Sequence, residues 1–350
     1  MSANRTSGDV TIVDVAREAG VSYATVSRVI NNKGYINPET REKVLRAVTK
    51  LGYVVNQQAR SLAGGKSQVV GLVVPGVDNS YIGEIIRGID EELASMSYDL
   101  MLYTTHRRKT RESTYVATLT QGLADGLLLV LPRNPGAYLD ALRRRGFPFV
   151  LIDHQGIDET GPSVGATNRS GGYAAARYLI ELGHRRIGFI TGTLDLRCST
   201  DRLDGYRDAL EEFDLPFDPA LVYEGDFMQP DGYRGAHTLL ALPDRPTAIF
   251  ASNDVMAFGA MEAVRECGLR IPADISIVGF DDIPQASHVH PHLTTIRQPL
   301  EQMGRLAARM LLQLIANPNM GASRVELTTE LIVRHSCRAL EPASHSAATT

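Results

Sequence analysis

The stretch from Thr11 to Asn32, TIVDVAREAGVSYATVSRVINN, limits the fold of everything attached to it. Thr11 is placed to cap a helix, and Asp14 follows at the spacing of a capping box. Val15, Ala16 and Ala19 fall on one face of that helix. Gly20 supplies the left-handed conformation that ends it and turns the chain. Ser22 is placed to cap a second helix, Tyr23 to Ile30. There Val26, Val29 and Ile30 point one way, while Tyr23, Ala24, Ser27 and Arg28 line the other side. Two short helices about a glycine-containing turn, the second with a polar outer face, predict a helix-turn-helix. That outer face is then expected in a DNA major groove.

Asn37 and Pro38 read as the N-cap and first residue of a third helix, which runs to about Leu51 and stops at Gly52. Val44, Leu45, Val48 and Leu51 are expected to face inward and cover the backs of the first two helices. Charge agrees with a polyanion-binding head. Residues 1–66 hold ten basic and five acidic residues, a net +5, which leaves −9 on the remainder of a 350-residue chain of net charge −4. Only the basic head should meet nucleic acid.

A chain of this length has room for two or three domains. No apolar run approaches the roughly 20 residues that span a bilayer. The opening MSANRTSGDV lacks the apolar core of a signal peptide, so a cytoplasmic protein without membrane partners is expected. Cys198, Cys267 and Cys337 match neither a disulfide framework nor a zinc spacing, and each is expected to be a buried or partly buried small hydrophobe.

From Gln68 the texture changes to short apolar runs alternating with helical stretches: VVGLVVP, GLLLVLP, FPFVLID, RIGFITG, AIFASN and ISIVGFD. Such alternation predicts parallel sheets with helices on both faces. The units are too many for one sheet, so two lobes are expected, joined near Val164–Asn168 and again near Thr294–Gln298. Ligands of doubly wound sheets bind beyond the carboxyl ends of the strands. The residues there are Asp78, Asn79, Ser80 and Tyr81, then Asp153 and His154, Arg202, Ser252, Asn253 and Asp254, and Asp281 and Asp282. Carboxylates, an amide, a guanidinium and an aromatic suit a sugar, whose hydroxyls both donate and accept. Asp254 is expected to cap the helix it precedes.

Enzyme signatures are missing from the sequence: no phosphate-cradling GxxxxGK(S/T), no GxGxxG opening a helix, no GxSxG elbow. Asp281 and Asp282 are adjacent and need not converge on one scissile bond. His288, His290 and His292 are read as a loop at the cleft rim, with no metal and no cofactor expected. The tail 339–350 is small and polar, reads as disordered, and carries no heptad for a coiled coil.

DVAREAGVSYATVSRVIN, TREKV, LGY and ARSLAG in residues 11–65 resemble the DNA-binding head and hinge of the lac repressor/galactose repressor family. TGxxxxxxxxxRxxGY (Thr191–Tyr206), ASNDxMAxG (Ala251–Gly259), VGFDD (Val278–Asp282) and LTTIRQP (Leu293–Pro299) extend the likeness over 68–338. The resemblance implies an all-α helix-turn-helix head plus an α/β core of two doubly wound parallel-sheet lobes of the periplasmic-binding-protein type. Its implied boundaries are a head at 1–53, a hinge helix at 54–66 and a core at 67–338. Lobe one is 68–165 with 299–328, and lobe two is 166–298 with 329–338.

DNA contacts are expected from Thr11, Ser22, Tyr23, Ala24, Thr25, Ser27, Arg28 and Asn31 of the head and Asn56, Ala59 and Leu62 of the hinge. In the family two hinges pair in the minor groove, and the leucine matched by Leu62 wedges between base pairs. Val55 stands where relatives commonly have proline. Effector contacts are expected from Tyr81, Asp153, Arg202, Asn253 and Asp281. The whole then reads as a homodimeric, non-enzymatic transcriptional regulator of a carbohydrate-use operon. Its partners are a near-palindromic double-stranded operator and a sugar-like effector. A sugar-binding protein explains only the body, and a sugar-active enzyme needs catalytic residues the sequence does not offer.

Overall fold

The computed structural model describes residues 10–30, 34–53, 66–133, 135–154, 161–318, 320–321 and 323–340. The chain divides into two compact units between Ser67 and Gln68. Asn31, Asn56, Ala59 and Leu62 lie outside the described residues, as does the hinge through Gly65.

The head comprises α1 (Ile12–Ala19), α2 (Tyr23–Ile30) and α3 (Pro38–Leu51). The capping box at Thr11 is present on both sides, with Asp14 Oδ2 accepting from the Thr11 N–H at 3.0 Å. Gly20 and Gly52 both close their helices in the left-handed conformation, at φ 65° and 62°. Val15, Ala16, Val26, Val29, Val44 and Ala47 form the buried core, with Val48 and Leu51 packed beside it. Leu45, expected inward, is instead 48% exposed. Inward positions on α3 step from 44 to 47, 48 and 51, and residue 45 lies about 100° round the helix from 44.

The core contains two six-stranded sheets. In lobe one, β1 (Val69–Val74), β2 (Asp99–Thr104), β3 (Gly126–Val130), β4 (Phe149–Ile152), β5 (Ser163–Ala166) and β11 (Arg324–Leu327) lie in the order β11-β5-β4-β3-β1-β2, all parallel. Val70, Leu72 and Val74 face one side, against α4 (Ser80–Ser95) and α11 (Leu300–Ala316). Val73 faces the other, with residues of α5 (Lys109–Leu119) and α6 (Gly136–Arg144). Burial on both faces is why these strands read as unbroken apolar runs.

Lobe two orders β6 (Ile187–Thr191), β7 (Val222–Glu224), β8 (Ala248–Ala251), β9 (Ser276–Asp281), β10 (Thr294–Arg297) and β12 (Glu330–Ile332) as β12-β10-β9-β8-β6-β7. Only β12 runs antiparallel to its neighbour. Phe189 and Phe250 stack at 4.6 Å on the side covered by α7 (Asn168–Glu181) and α8 (Arg197–Glu212). The other side packs against α9 (Gln229–Leu240) and α10 (Asp254–Glu266).

The chain passes between lobes three times: from β5 to α7, from β10 to α11, and from β11 to β12. Thr167 and Thr329 tie the first and third passes, their hydroxyls 3.0 Å apart. At the end of the core the Leu340 N–H donates to Leu182 O at 2.8 Å, two residues past the expected limit at 338, and 341–350 lie outside the described residues. Among the described residues no helix is long and apolar enough to cross a membrane.

Candidate functional site

On the head, Tyr23, Ala24 and Arg28 are exposed on α2, and Ser27 is half-buried. Ser22 accepts from the Thr25 N–H at 3.1 Å, and the two hydroxyls lie 2.9 Å apart. The Thr11 hydroxyl donates to Asp14 at 2.7 Å. These three residues therefore set the starts of α1 and α2. Arg17, Lys43, Arg46 and Lys50 each pair with a carboxylate of the head. Arg28 has no acidic partner among the described residues, which leaves its guanidinium open to a polyanion.

In the core, a cavity of about 60 Å³, partly open to solvent, lies where carboxyl ends of strands from both lobes converge. Tyr81, Asp153, Arg202, Asn253 and Asp281 all line it. Three of them, Tyr81, Asp153 and Arg202, belong to one hydrogen-bonded chain through Asn168. The Tyr81 hydroxyl donates to Asp153 Oδ2 at 2.7 Å, and Asn168 donates to Asp153 Oδ1 at 3.3 Å. Arg202 Nε donates to Asn168 Oδ1 at 2.9 Å and Nη1 to the Ser252 carbonyl at 2.5 Å. The guanidinium lies on the Phe280 ring, 3.7 Å from its centroid. Asp281 sits 3.9 Å from Arg202 Nη2, beyond hydrogen-bonding reach, and accepts from Gln298 Nε2 at 2.7 Å.

Burial pushes the Asp281 carboxyl up to about 7, against the pull of Arg202 and Gln298 and with added repulsion from Asp153. Burial, then Asp153 and Asp281, hold the Tyr81 phenol well above its ordinary value, so it remains a donor. Leu131, Asp153, Phe227 and Asp281, all in the cavity wall, have positive φ of 47°, 51°, 68° and 112°. Strained backbone of this kind persists where the surrounding structure fixes it, often at binding sites.

Asn253, not Asp254, caps α10: its Oδ1 accepts from the Met256 N–H at 2.8 Å, and its Nδ2 donates to the Phe227 carbonyl at 3.1 Å. Asp254 is fully buried, accepting from the Ile283 N–H at 2.9 Å and the Thr295 hydroxyl at 2.5 Å. Asp282 turns away from the cavity to Arg297 and Arg334. The HVHPH segment precedes β10 and therefore lies at the amino end of that strand, not at the cleft rim where it was expected; the His335 N–H donates to His292 O there. Among the described residues no group of three or more His, Cys, Asp or Glu is placed to hold a metal.

Sequence reasoning missed several wall residues. Cys198 is buried in the wall, its thiol pushed up to about 12 by burial. Cys267 is exposed, contrary to expectation. Phe227, Leu196, Arg107 and Arg133 also line the cavity. Leu196 and Cys198 could have been found between the glycine and arginine of the TG…RxxGY spacing, since that loop must cross the strand ends. Phe227 follows the very short β7 and gave no comparable signal.

Residues 11–56 match the family of bacterial regulatory proteins described as the lacI family, and 176–337 match a periplasmic binding protein-like domain. The HTH-type transcriptional repressor PurR of Photorhabdus laumondii is 38% identical over 328 residues, spanning 93% of this chain and 96% of that protein. The ribose operon repressor of Haemophilus influenzae is 36% identical over 331 residues, spanning 95% and 99%. Among solved structures, the lac repressor dimer bound to operator and the anti-inducer ONPF aligns with a TM-score of 0.84 at 30% identity, covering 95% of this chain and all of that one.

Proposed function

This chain belongs to the lacI family of bacterial regulatory proteins, and on that premise we propose that it is a cytoplasmic repressor of a carbohydrate-use operon. It acts as a two-fold dimer on a near-palindromic operator. The α2 face reads the major groove through Tyr23, Ala24 and Arg28, and the paired hinges carry Leu62 into the minor groove. A small hydroxyl-rich effector binds in the core cavity and alters operator affinity.

One observation carries the effector assignment. The polar chain Tyr81–Asp153–Asn168–Arg202 draws on both lobes and ends beside Asp281, all around one cavity. Tyr81 and Asp153 come from lobe one, while Asn168, Arg202, Asn253 and Asp281 come from lobe two. A ligand held by both sets bridges the lobes, and only a ligand that prefers one lobe arrangement can shift the balance between arrangements.

A thermal-shift screen of sugars and purines identifies the ligand, since ligand at 100 times its dissociation constant adds about 2.7 kcal/mol of stability. Fluorescence anisotropy with labelled operator should then show affinity changing on ligand addition. Deleting residues 1–65 should abolish operator binding and leave the thermal shift intact. A ligand that binds without moving operator affinity, or a stable tetramer in sedimentation, would overturn the reading.

A further inference from the structure

We propose that the effector carries an oxyanion, a carboxylate or a phosphate, received by Arg133; this rests on the reading of the core cavity as the effector site. Six charged side chains line the cavity: Arg107, Arg133 and Arg202, with Asp153, Asp226 and Asp281. Five of them are engaged. Arg107 forms a fork with Asp78, two contacts of 2.8 Å each. Arg202 donates to Asn168 and Ser252, and Asp153 accepts from Tyr81 and Asn168. Asp226 accepts from the Met228 N–H at 2.8 Å, and Asp281 accepts from Gln298. The Arg133 guanidinium has no partner among the described residues.

Arg133 is nonetheless held in place. Its backbone N–H donates to both oxygens of Glu112, at 3.1 and 3.3 Å, and the Tyr138 hydroxyl donates to the same carboxylate at 3.2 Å. Glu112 is 6% exposed, so a buried anchor fixes the loop that follows β3 and presents a half-buried arginine to the cavity. Partial removal from water strengthens the attraction of such a cation for an anion. Its planar fork fits a carboxylate or a phosphate with two parallel hydrogen bonds. A neutral sugar would leave that charge partly desolvated and unmatched. The groups on lobe two suit hydroxyls, so the ligand they define with Arg133 is a polyol with one acidic end.

Calorimetry on the full-length protein compares neutral parents with their acids. D-glucose is set against D-gluconate, D-glucuronate and D-glucose 6-phosphate, and D-ribose against D-ribose 5-phosphate. At least one acid should bind about tenfold or more tighter than its parent, the scale of a charge-assisted hydrogen bond. Whether a sugar acid or a sugar phosphate wins identifies the oxyanion. Arg133→Gln should erase the advantage of the acid, and Arg133→Lys, which keeps the charge, should retain part of it; thermal unfolding checks that both variants fold. The proposal is overturned if the neutral parents bind as tightly as the acids, if no acid binds, or if Arg133→Gln keeps the preference. These measurements use no DNA. Failure of the regulatory reading appears separately, as a bound ligand that leaves operator affinity unmoved.

Discussion

Asp281 combines features that oppose one another: a carboxylate, 3% exposure, and a backbone φ of 112°. Its carboxyl titrates from an ordinary 3.8 when unfolded to about 7 when folded, chiefly through burial. Below about pH 4 it is protonated in both states. As pH rises the unfolded chain releases the proton first, so this group withdraws stability progressively until about pH 7, where the loss is complete. Asp281→Asn cannot ionise. Scanning fluorimetry of the two ligand-free proteins should show the difference in Tm moving in the variant's favour between about pH 4 and 7, then levelling. A difference independent of pH would mean that Asp281 is not the buried, titrating group. The same variant should bind effector about 10–100-fold more weakly, because a charge-assisted hydrogen bond to a hydroxyl is lost. In the head, Ala24 has no side-chain hydrogen bond to give and offers only shape or contact with a thymine methyl. Ala24→Gln should change the preferred operator base in a binding-site selection, and an unchanged consensus would remove Ala24 from the reading face. That the five residues expected to hold effector would share one cavity wall was legible because each follows an apolar run or sits in a spaced motif. The burial of Asp254 was not: its partners Thr295 and Ile283 lie 41 and 29 residues away, a distance that local capping rules cannot span.

Helix pairs hold those residues in position, and three of the pairs, α7 with α8, α4 with α11 and α9 with α10, depend on the missing side chain of glycine. A Cβ on Gly205 of α8 would come within 2.1 Å of Arg169 O on α7, and one on Gly304 of α11 within 2.1 Å of Ile85 O on α4. Backbone is met in both places, so the helices themselves must separate. Gly205→Ala and Gly304→Ala should each cost about 1–3 kcal/mol in urea unfolding. Arg202 lies one turn before Gly205 on α8, and Tyr81 lies one turn before Ile85 on α4, so both variants should also weaken effector binding. Unchanged affinity in either would show that helix spacing does not position that cavity residue. At this scale the strands and helices were readable because burial on two faces writes apolar runs and burial on one writes a helical period. The helix after β1 starts at Ser80, because Asn79 caps it by accepting from the Ile82 N–H. Leu45 misled because an apolar residue beside the inward stripe resembles a member of it, whereas Ala47 is too small to stand out. HVHPH misled for a topological reason: a connection between parallel strands must return to the amino end before the next strand begins.

Across the core, three chain passes join the lobes, and a contact beside the second pass also spans them. Ile283, from the loop after β9, is 3% exposed and packs within the lobe-one cluster containing Tyr81 and Ile82, with Val255 and Phe258 of α10 beside it. Gln285 Nε2 donates to Ser80 Oγ at 2.7 Å in the same region. These contacts hold the lobes in the arrangement whose cavity receives Asp153 from one lobe and Arg202 and Asp281 from the other. A population-shift argument follows: if this arrangement is the one competent to bind, its fractional occupancy multiplies the intrinsic affinity. Ile283→Ala removes apolar contact from the docked arrangement at a cost of about 2–4 kcal/mol, shared between folding and docking. Apparent effector affinity should then fall by roughly 3–30-fold although every residue of the polar chain is retained. Scattering of the ligand-free variant should give a larger radius of gyration, and saturating effector should restore the wild-type value. Ile283 is close in sequence to Asp281, so the pH dependence of binding supplies the control: a midpoint that stays where wild type has it places the defect in docking, and one that moves places it in the anchor. Unchanged affinity with unchanged dimensions would mean that the Ile283 contact does not govern the lobes, and that closure is set by the three passes alone.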